Sequence, residues 1–379
     1  MKFSTEAIHA GQTPDKTTGA VTTPIFMTST YVQDELGVNK GYHYGRTENL
    51  TRESLEKNIA TLEKGESGIS FSSGIAAIHS LMNLVKSGEN VIVPESVYGG
   101  TFRLFQDFVS NYGVEFKWID MSDLSLVEKS IDSNTKLIYM ETPSNPLLKL
   151  TDIEGITQIA RSRNILTAAD NTFMTPYFQR PLELGADIVI HSTSKYLSGH
   201  SDIIGGIVVT NNDEVNSKIR FMQKALGAIP SPFDCWITLR STKTLVVRMK
   251  QHENNANILA DYLQDKHYFK SVIYPGLPNH PDHELAKKQM SGFGAVITVD
   301  FHEFEVAKRF LKNIKIFHLA ESLGGVESLV NHSATMTHAS VPKEIRDKMG
   351  ITDGMVRISV GIEDVEDLIE DFEQAINKN

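Results

Sequence analysis

Three short stretches carry residue types able to do chemistry. HSTSKYLSGHSD (His191 to Asp202) sets Lys195 among small hydroxyl residues and a glycine, just after the apolar run DIVI (Asp187 to Ile190). A dry pocket disfavours an ammonium, so a lysine held there loses proton affinity and more of it is the free amine that attacks an aldehyde. Asp170 ends ILTAAD, where a carboxylate following Ala168 and Ala169 needs a partner. FSSGIAAIHSL (Phe71 to Leu81) follows a strand and opens a helix, and its small residues let backbone N–H groups at the helix N-terminus approach an anion such as phosphate.

Each stretch also has a plain structural explanation. Ser72 or Ser73 would cap a helix, Asp170 would serve a turn, and Lys195 would sit in a polar surface turn. Their order changes the weighting. A phosphate cradle comes first, then a strand-end carboxylate, then, 25 residues later, a lysine after another strand. These are the parts that a pyridoxal phosphate enzyme requires: an anion site, an acid that keeps the pyridine nitrogen protonated as an electron sink, and an amine for the Schiff base. Ser192 and Ser194 add hydroxyls for the same phosphate. The glycine-containing stretch is neither G-x-G-x-x-G nor a P-loop, which disfavours a dinucleotide site or an NTPase. His191, His200 and the other histidines lack spacings such as H-E-x-x-H, so no metal is expected.

The elements that must position these residues follow from an alternation of β-rich and helical stretches. GISF, NVIVP, VEFKWID, TKLIYMET, ILTAADN, DIVIHS and GGIVVT recur between Gly68 and Thr210, which predicts an α/β fold with a mostly parallel seven-stranded sheet covered on both faces. From Ser231, a plausible cap, SPFDCWITLRSTKTLVVRMKQHENNANILADYL reads as one long helix or a helix pair. A smaller α/β unit with strands SVIY, AVITVDF and MVRISV and a closing helix follows from about Phe269. The expected division is an N-terminal segment (1–60) packing on a neighbouring subunit, a large domain (61–240), and a C-terminal domain (241–379) beginning within the bridging helix.

With 37 Lys+Arg against 47 Asp+Glu, a formal charge of -10 and no basic block, nucleic acid and anionic membrane are disfavoured as partners. The single cysteine, Cys235, excludes an intrachain disulfide and suits a reducing compartment. With no apolar signal core and no membrane-length run, a soluble cytoplasmic protein is expected.

A resemblance covers essentially the whole chain. AIHAGQ, TPIFMTSTY, YGRTENLTR, SSGIAAI, VYGGTFRLF, ETPSNPLLK, DNTF, STSKYLSGHSD, IPSPFDCW, KTLVVRMKQH, YPGLPNHPDHELAKKQM, AESLGGVESL, MTHASVP and ITDGMVRISVGIED stand in the order found in the cystathionine-metabolising family of fold-type I pyridoxal phosphate enzymes. The resemblance implies that Lys195 binds the cofactor and moves substrate protons, that Asp170 pairs with the pyridine nitrogen, and that Tyr98 stacks on the ring and assists proton transfer. By the same likeness Gly74 and Ile75, through backbone N–H groups, hold the phosphate with Ser192 and Ser194. Tyr44 and Arg46 would reach the phosphate of a neighbouring subunit's cofactor, placing the site at a dimer interface within a tetramer. Arg357 would grip the substrate α-carboxylate with its planar fork. Asn145 and Ser322 would assist in positioning, and Glu321 would face the substrate.

The implied reaction is γ-elimination of cystathionine to cysteine, 2-oxobutanoate and ammonia, with γ-replacement on an O-acylated homoserine as the alternative. Glu321 in AESLGG matches γ-enzymes better than β-lyases, and methionine γ-lyases usually carry a cysteine where Gly100 stands. A non-catalytic binding protein of the same fold is disfavoured by intact Lys195, Asp170, Tyr98 and Arg357. Two departures stand out: Asn49, Leu50, Thr51 replaces the family's Asn-Pro-Thr, and His43 replaces a commonly acidic residue that helps bind the distal amino group of cystathionine.

Overall fold

In the computed structural model, which describes residues 1–339 and 341–378, the seven β-rich runs become β1 (Ser67–Phe71), β2 (Asn90–Pro94), β3 (Glu115–Ile119), β4 (Thr135–Glu141), β5 (Leu166–Asp170), β6 (Ile188–Ser192) and β7 (Gly206–Thr210). They form one sheet in the order β1-β7-β6-β5-β4-β2-β3. The pairs β2·β3, β2·β4, β4·β5 and β5·β6 are parallel, whereas β7 runs antiparallel to both β1 and β6. The chain is therefore α/β with a mostly parallel seven-stranded sheet, as the alternation predicts. β2 and β7 are buried along their whole length, which explains why they read as continuous apolar runs rather than alternating ones.

The parallel order puts the carboxyl ends of β4, β5 and β6 side by side, with Glu141 opposite Asp170 and Asp170 opposite Ile190. Open parallel sheets place their ligands at such an edge.

The stretch from Ser231 is a helix pair. Ser231 caps the first helix, Pro232–Thr242, by accepting the Asp234 N–H at 3.1 Å, and the second, Leu245–Gln264, starts after a break at Lys243 and Thr244. The smaller sheet contains β8 (Phe269–Ile273), β9 (Val296–Phe301), β10 (His318–Leu319), β11 (Leu329–His332) and β12 (Met355–Ser359), ordered β10-β11-β12-β9-β8. The closing helix is Val365–Asn377. A single apolar core joins the two sheets: Val189, Ile207 and Val209 of the large one, Ile297, Val299, Val356 and Ile358 of the small one, and Leu245, Met249, Ala256 and Leu259 of the helix between them.

The first sixty residues hold more regular structure than their polarity suggests. Phe3–His9 is helical, and Leu50–Leu62 forms a helix whose cap, Asn49, accepts the N–H groups of Thr51 and Arg52. Leu55, Ile59 and Ala60 of that helix enter the core. Between these helices, residues 11–49 contain only isolated bridges, such as Thr30 with Tyr44.

Candidate active site

A cavity of about 590 Å³ opens at the carboxyl edge of the large sheet. It gathers Gly74, Ile75, Tyr98, Asp170, Ser192, Ser194, Lys195, Glu321, Ser322 and Arg357, residues separated by up to 283 positions in sequence. Asn145 stands directly behind this wall, its Oδ1 accepting from Arg357 Nη1 at 3.1 Å. Tyr44 and Arg46 do not line this chain's cavity; Arg46 Nη1 instead donates to the Lys224 carbonyl at 2.6 Å.

Lys195 follows β6 in a turn closed by its own N–H to the Ser192 carbonyl and by the Gly199 N–H to the Lys195 carbonyl. Its Nζ donates to Ser322 Oγ at 2.6 Å. Burial, reinforced by the nearby Arg357 guanidinium and opposed by Glu321, pushes the lysine down to about 8. The amine is thus a competent nucleophile near neutral pH, which an exposed lysine is not. Ser322 itself is held at φ +93°, a conformation a serine keeps only when its surroundings impose it.

Asp170 is fixed by the Thr172 N–H on Oδ1 at 3.0 Å and the Tyr139 hydroxyl on Oδ2 at 3.3 Å. Burial raises its proton affinity against the effect of these donors. No salt bridge reaches it among the described residues, and its carboxyl group lines the cavity. At the opposite wall Ser73 spends its hydroxyl capping the Ala76 N–H at 3.0 Å. The capping and anion-cradle readings of this stretch are therefore compatible. Gly74 packs so tightly on β6 that a Cβ would stand 2.9 Å from that of Ser192. Ser194 Oγ bridges both backbone groups of Gly205, accepting from N at 3.0 Å and donating to O at 3.3 Å.

Arg357, on β12, is 2% exposed. Its acceptors are neutral: Asn145 Oδ1, the Ser322 carbonyl at 2.5 Å and, with its amide oxygen turned toward the guanidinium, Asn331 on β11. A buried guanidinium surrounded by neutral oxygens retains an unsatisfied demand for an anion. Tyr98 is 41% exposed, and its ring lies over Gly100, where a Cβ would come within 2.4 Å of Cε1.

Two contributors went unnoticed in the sequence. Glu141 accepts the Tyr98 N–H at both oxygens (3.1 and 3.0 Å) and the Asn145 N–H at 3.2 Å, so one buried carboxylate holds both backbones. Burial and the adjacent Asp170 push it up to about 8. Its signal was a second carboxylate at the end of the neighbouring strand. Asn331 gave none, because β11 is only four residues long.

The donor set matches pyridoxal phosphate group by group: a free carboxylate for the ring nitrogen, an amine of lowered proton affinity for the aldehyde, and a glycine-lined helix start with two serines for the phosphate. Fold and cavity together define a fold-type I pyridoxal phosphate enzyme. Residues 4–377 match the family described as Cys/Met metabolism PLP-dependent enzyme. The chain is 50% identical over 376 residues to the cystathionine gamma-lyase of Bacillus subtilis (strain 168), and 49% identical over 376 residues to the cystathionine beta-lyase of Lactococcus lactis subsp. cremoris (strain MG1363), with 99% of each chain covered in both cases. The crystal structure of cystathionine gamma synthase from Xanthomonas oryzae pv. oryzae in complex with cystathionine superposes with a TM-score of 0.97 at 39% identity, covering 99% of this chain and 98% of that one. The chain belongs to the Cys/Met metabolism PLP-dependent enzyme family, and pyridoxal phosphate is its cofactor. No helix among the described residues is long and apolar enough to cross a membrane.

Proposed function

We propose that the protein catalyses γ-elimination of cystathionine, consuming one water and releasing cysteine, 2-oxobutanoate and ammonia. Lys195 Nζ would bond the cofactor's aldehyde carbon, Asp170 would hold the proton on the ring nitrogen, Tyr98 would cover the ring, and Gly74, Ile75, Ser192 and Ser194 would hold the phosphate. Bound pyridoxal phosphate supplies an electron sink conjugated to the substrate Cα.

The chain's own groups do the rest. Arg357 takes the α-carboxylate as the anion its neutral surroundings lack, with Asn145 and Ser322 fixing the guanidinium. Lys195, freed by the incoming amino group, would take the proton from Cα, hand it to the conjugated cofactor and so regain its free amine, and then take one from Cβ, while Tyr98 would pass a proton to the departing sulfur. Glu321, on the same cavity wall, faces the distal ammonium. The observation that carries this reading is the single amine of lowered proton affinity, 2.6 Å from Ser322 Oγ and beside Arg357, because successive abstraction from neighbouring carbons needs one mobile base next to a fixed carboxylate anchor. Removal of the γ-substituent needs both abstractions; removal of a β-substituent needs only the first.

The exposed apolar side chains of the N-terminal segment, among them Met27, Val32 and Leu36, support a homo-oligomer in which Tyr44 and Arg46 complete a second copy's site. γ-Replacement on an O-acylated homoserine is the second reading, favoured by the likeness to the synthase structure. Product analysis with cystathionine alone tests the choice. Cysteine with 2-oxobutanoate is expected. Homocysteine with pyruvate would move the reaction to the β-carbon, and neither pair would favour the acylated substrate.

A further inference from the structure

The helix Leu245–Gln264 carries a polar stripe that the reaction described above does not use. Arg248, His252 and Asn255 stand at i, i+4 and i+7, so they share one face over about two helical turns, roughly 10 Å. All three are buried.

Arg248 serves the lysine end of the cavity. Its Nη1 donates to the Tyr196 carbonyl at 2.6 Å, and its Nη2 donates to the carbonyls of Leu197 at 3.4 Å and Ser241 at 3.0 Å. The turn after Lys195 is shaped around it: Gly199 has φ +71°, and a Cβ there would stand 2.1 Å from Arg248 Nη1. Asn255 serves the arginine end. Its Nδ2 donates to the carbonyls of Gly361 at 3.1 Å and Glu363 at 2.7 Å, just beyond the strand that bears Arg357. Between them, His252 Nδ1 donates to the Val360 carbonyl at 2.7 Å, and its ring meets that of Tyr196 edge-on at 5.2 Å.

We propose that Arg248, His252 and Asn255 are positioning residues that fix the separation between Lys195 and Arg357. One rigid helix face grips the backbone one residue after Lys195 and three residues after Arg357. The two side chains must address one α-amino acid, whose amino group and carboxylate share a single carbon, so a shift of either backbone misaligns the pair. A buried guanidinium spent on neutral carbonyls is costly, and bracing these two segments is what it accomplishes here.

The inference rests on the roles given above to Lys195 and Arg357, and its test keeps the two apart. Holoenzyme is titrated with L-alanine and with ethylamine, its counterpart lacking the carboxylate, and the cofactor's visible absorbance is followed. In Arg248→Lys, and independently in Asn255→Ala from the other end, the preference for L-alanine should fall at least tenfold while the ethylamine response stays within twofold of wild type. A preference kept within twofold, or an equal weakening of both responses, overturns the proposal; if Arg248→Lys yields no holoenzyme, Asn255→Ala decides by the same criteria. A wild-type absorbance band in Lys195→Ala, or an undiminished L-alanine preference in Arg357→Lys, would instead mark failure of the underlying assignments.

Discussion

Two regions contribute to catalysis in this reading, and they are built in opposite ways. The sheet-edge region holds Asp170, Lys195 and Arg357 by hydrogen bonds from within one chain. The segment bearing His43, Tyr44 and Arg46 has isolated bridges in place of strands, with Val32 at 88% and Leu36 at 103% exposure. Burial creates chemistry in the first region by lowering the proton affinity of Lys195 and leaving Arg357 without an anion. Apolar side chains are left in the open in the second, which is the observation behind its proposed pairing with another copy.

Removing the centre of the buried region should have the largest effect. Lys195→Ala is expected to lower kcat by about 10³-fold or more, roughly 4 kcal/mol, because both proton transfers lose their base. Steady-state turnover of cystathionine, with borohydride reduction and peptide mapping of the wild type, checks it; a reduced cofactor on another lysine would remove Lys195 from its role. The exposed region can be broken separately. Arg46→Ala and Lys195→Ala should each be inactive, yet mixing the unfolded chains and refolding them together should restore roughly a quarter of wild-type activity, since half the dimers would be mixed and hold one intact site of two. No recovery would mean that Arg46 acts within its own chain or not at all.

A smaller effect tests how the buried region is held. Glu141 is pushed up to about 8, so its folded state binds a proton more tightly than the unfolded chain does. Its stabilising contribution is full below the ordinary carboxylate value, near 4.5, and is lost as pH rises toward 8. Glu141→Gln keeps an acceptor for the Tyr98 and Asn145 N–H groups but cannot titrate. Between pH 6 and 8 its Tm should therefore fall less than that of the wild type, and parallel curves would exclude Glu141 as the titrating group.

The same contrast explains what the sequence disclosed. Most of the large-sheet strands were legible because burial on both faces writes itself as apolar runs, the edge strand β3 being only partly buried, and Lys195 and Asp170 were legible because each follows such a run. β10 and β11 were not, being two and four residues long, and Asn331 went with them. Glu141 lay in view within ETPSNPLLK, but its importance depends on the register that sets it beside Asp170, which no local pattern encodes. The helix Leu50–Leu62 was hidden by its polar residues, since half of its buried positions are Thr51, Arg52, Glu56 and Asn58.

His43 poses the finest distinction between the two regions. It is half exposed, with Nδ1 3.2 Å from Oε2 of Glu48, a carboxylate that Lys224 Nζ also meets at 3.3 Å. If this segment completes a second copy's site, His43→Glu would set a second carboxylate beside that of Glu48, toward the distal ammonium. Exposed charge pairs contribute only about 0.2–1 kcal/mol, so the KM for cystathionine should fall by no more than about fivefold. Substrates lacking the distal amine should be unaffected, because the added carboxylate has nothing to meet. The ratio of the two KM changes is therefore the informative quantity. Equal changes would place His43 outside the distal recognition surface and leave Glu321, which lines the cavity, as the group to examine for specificity.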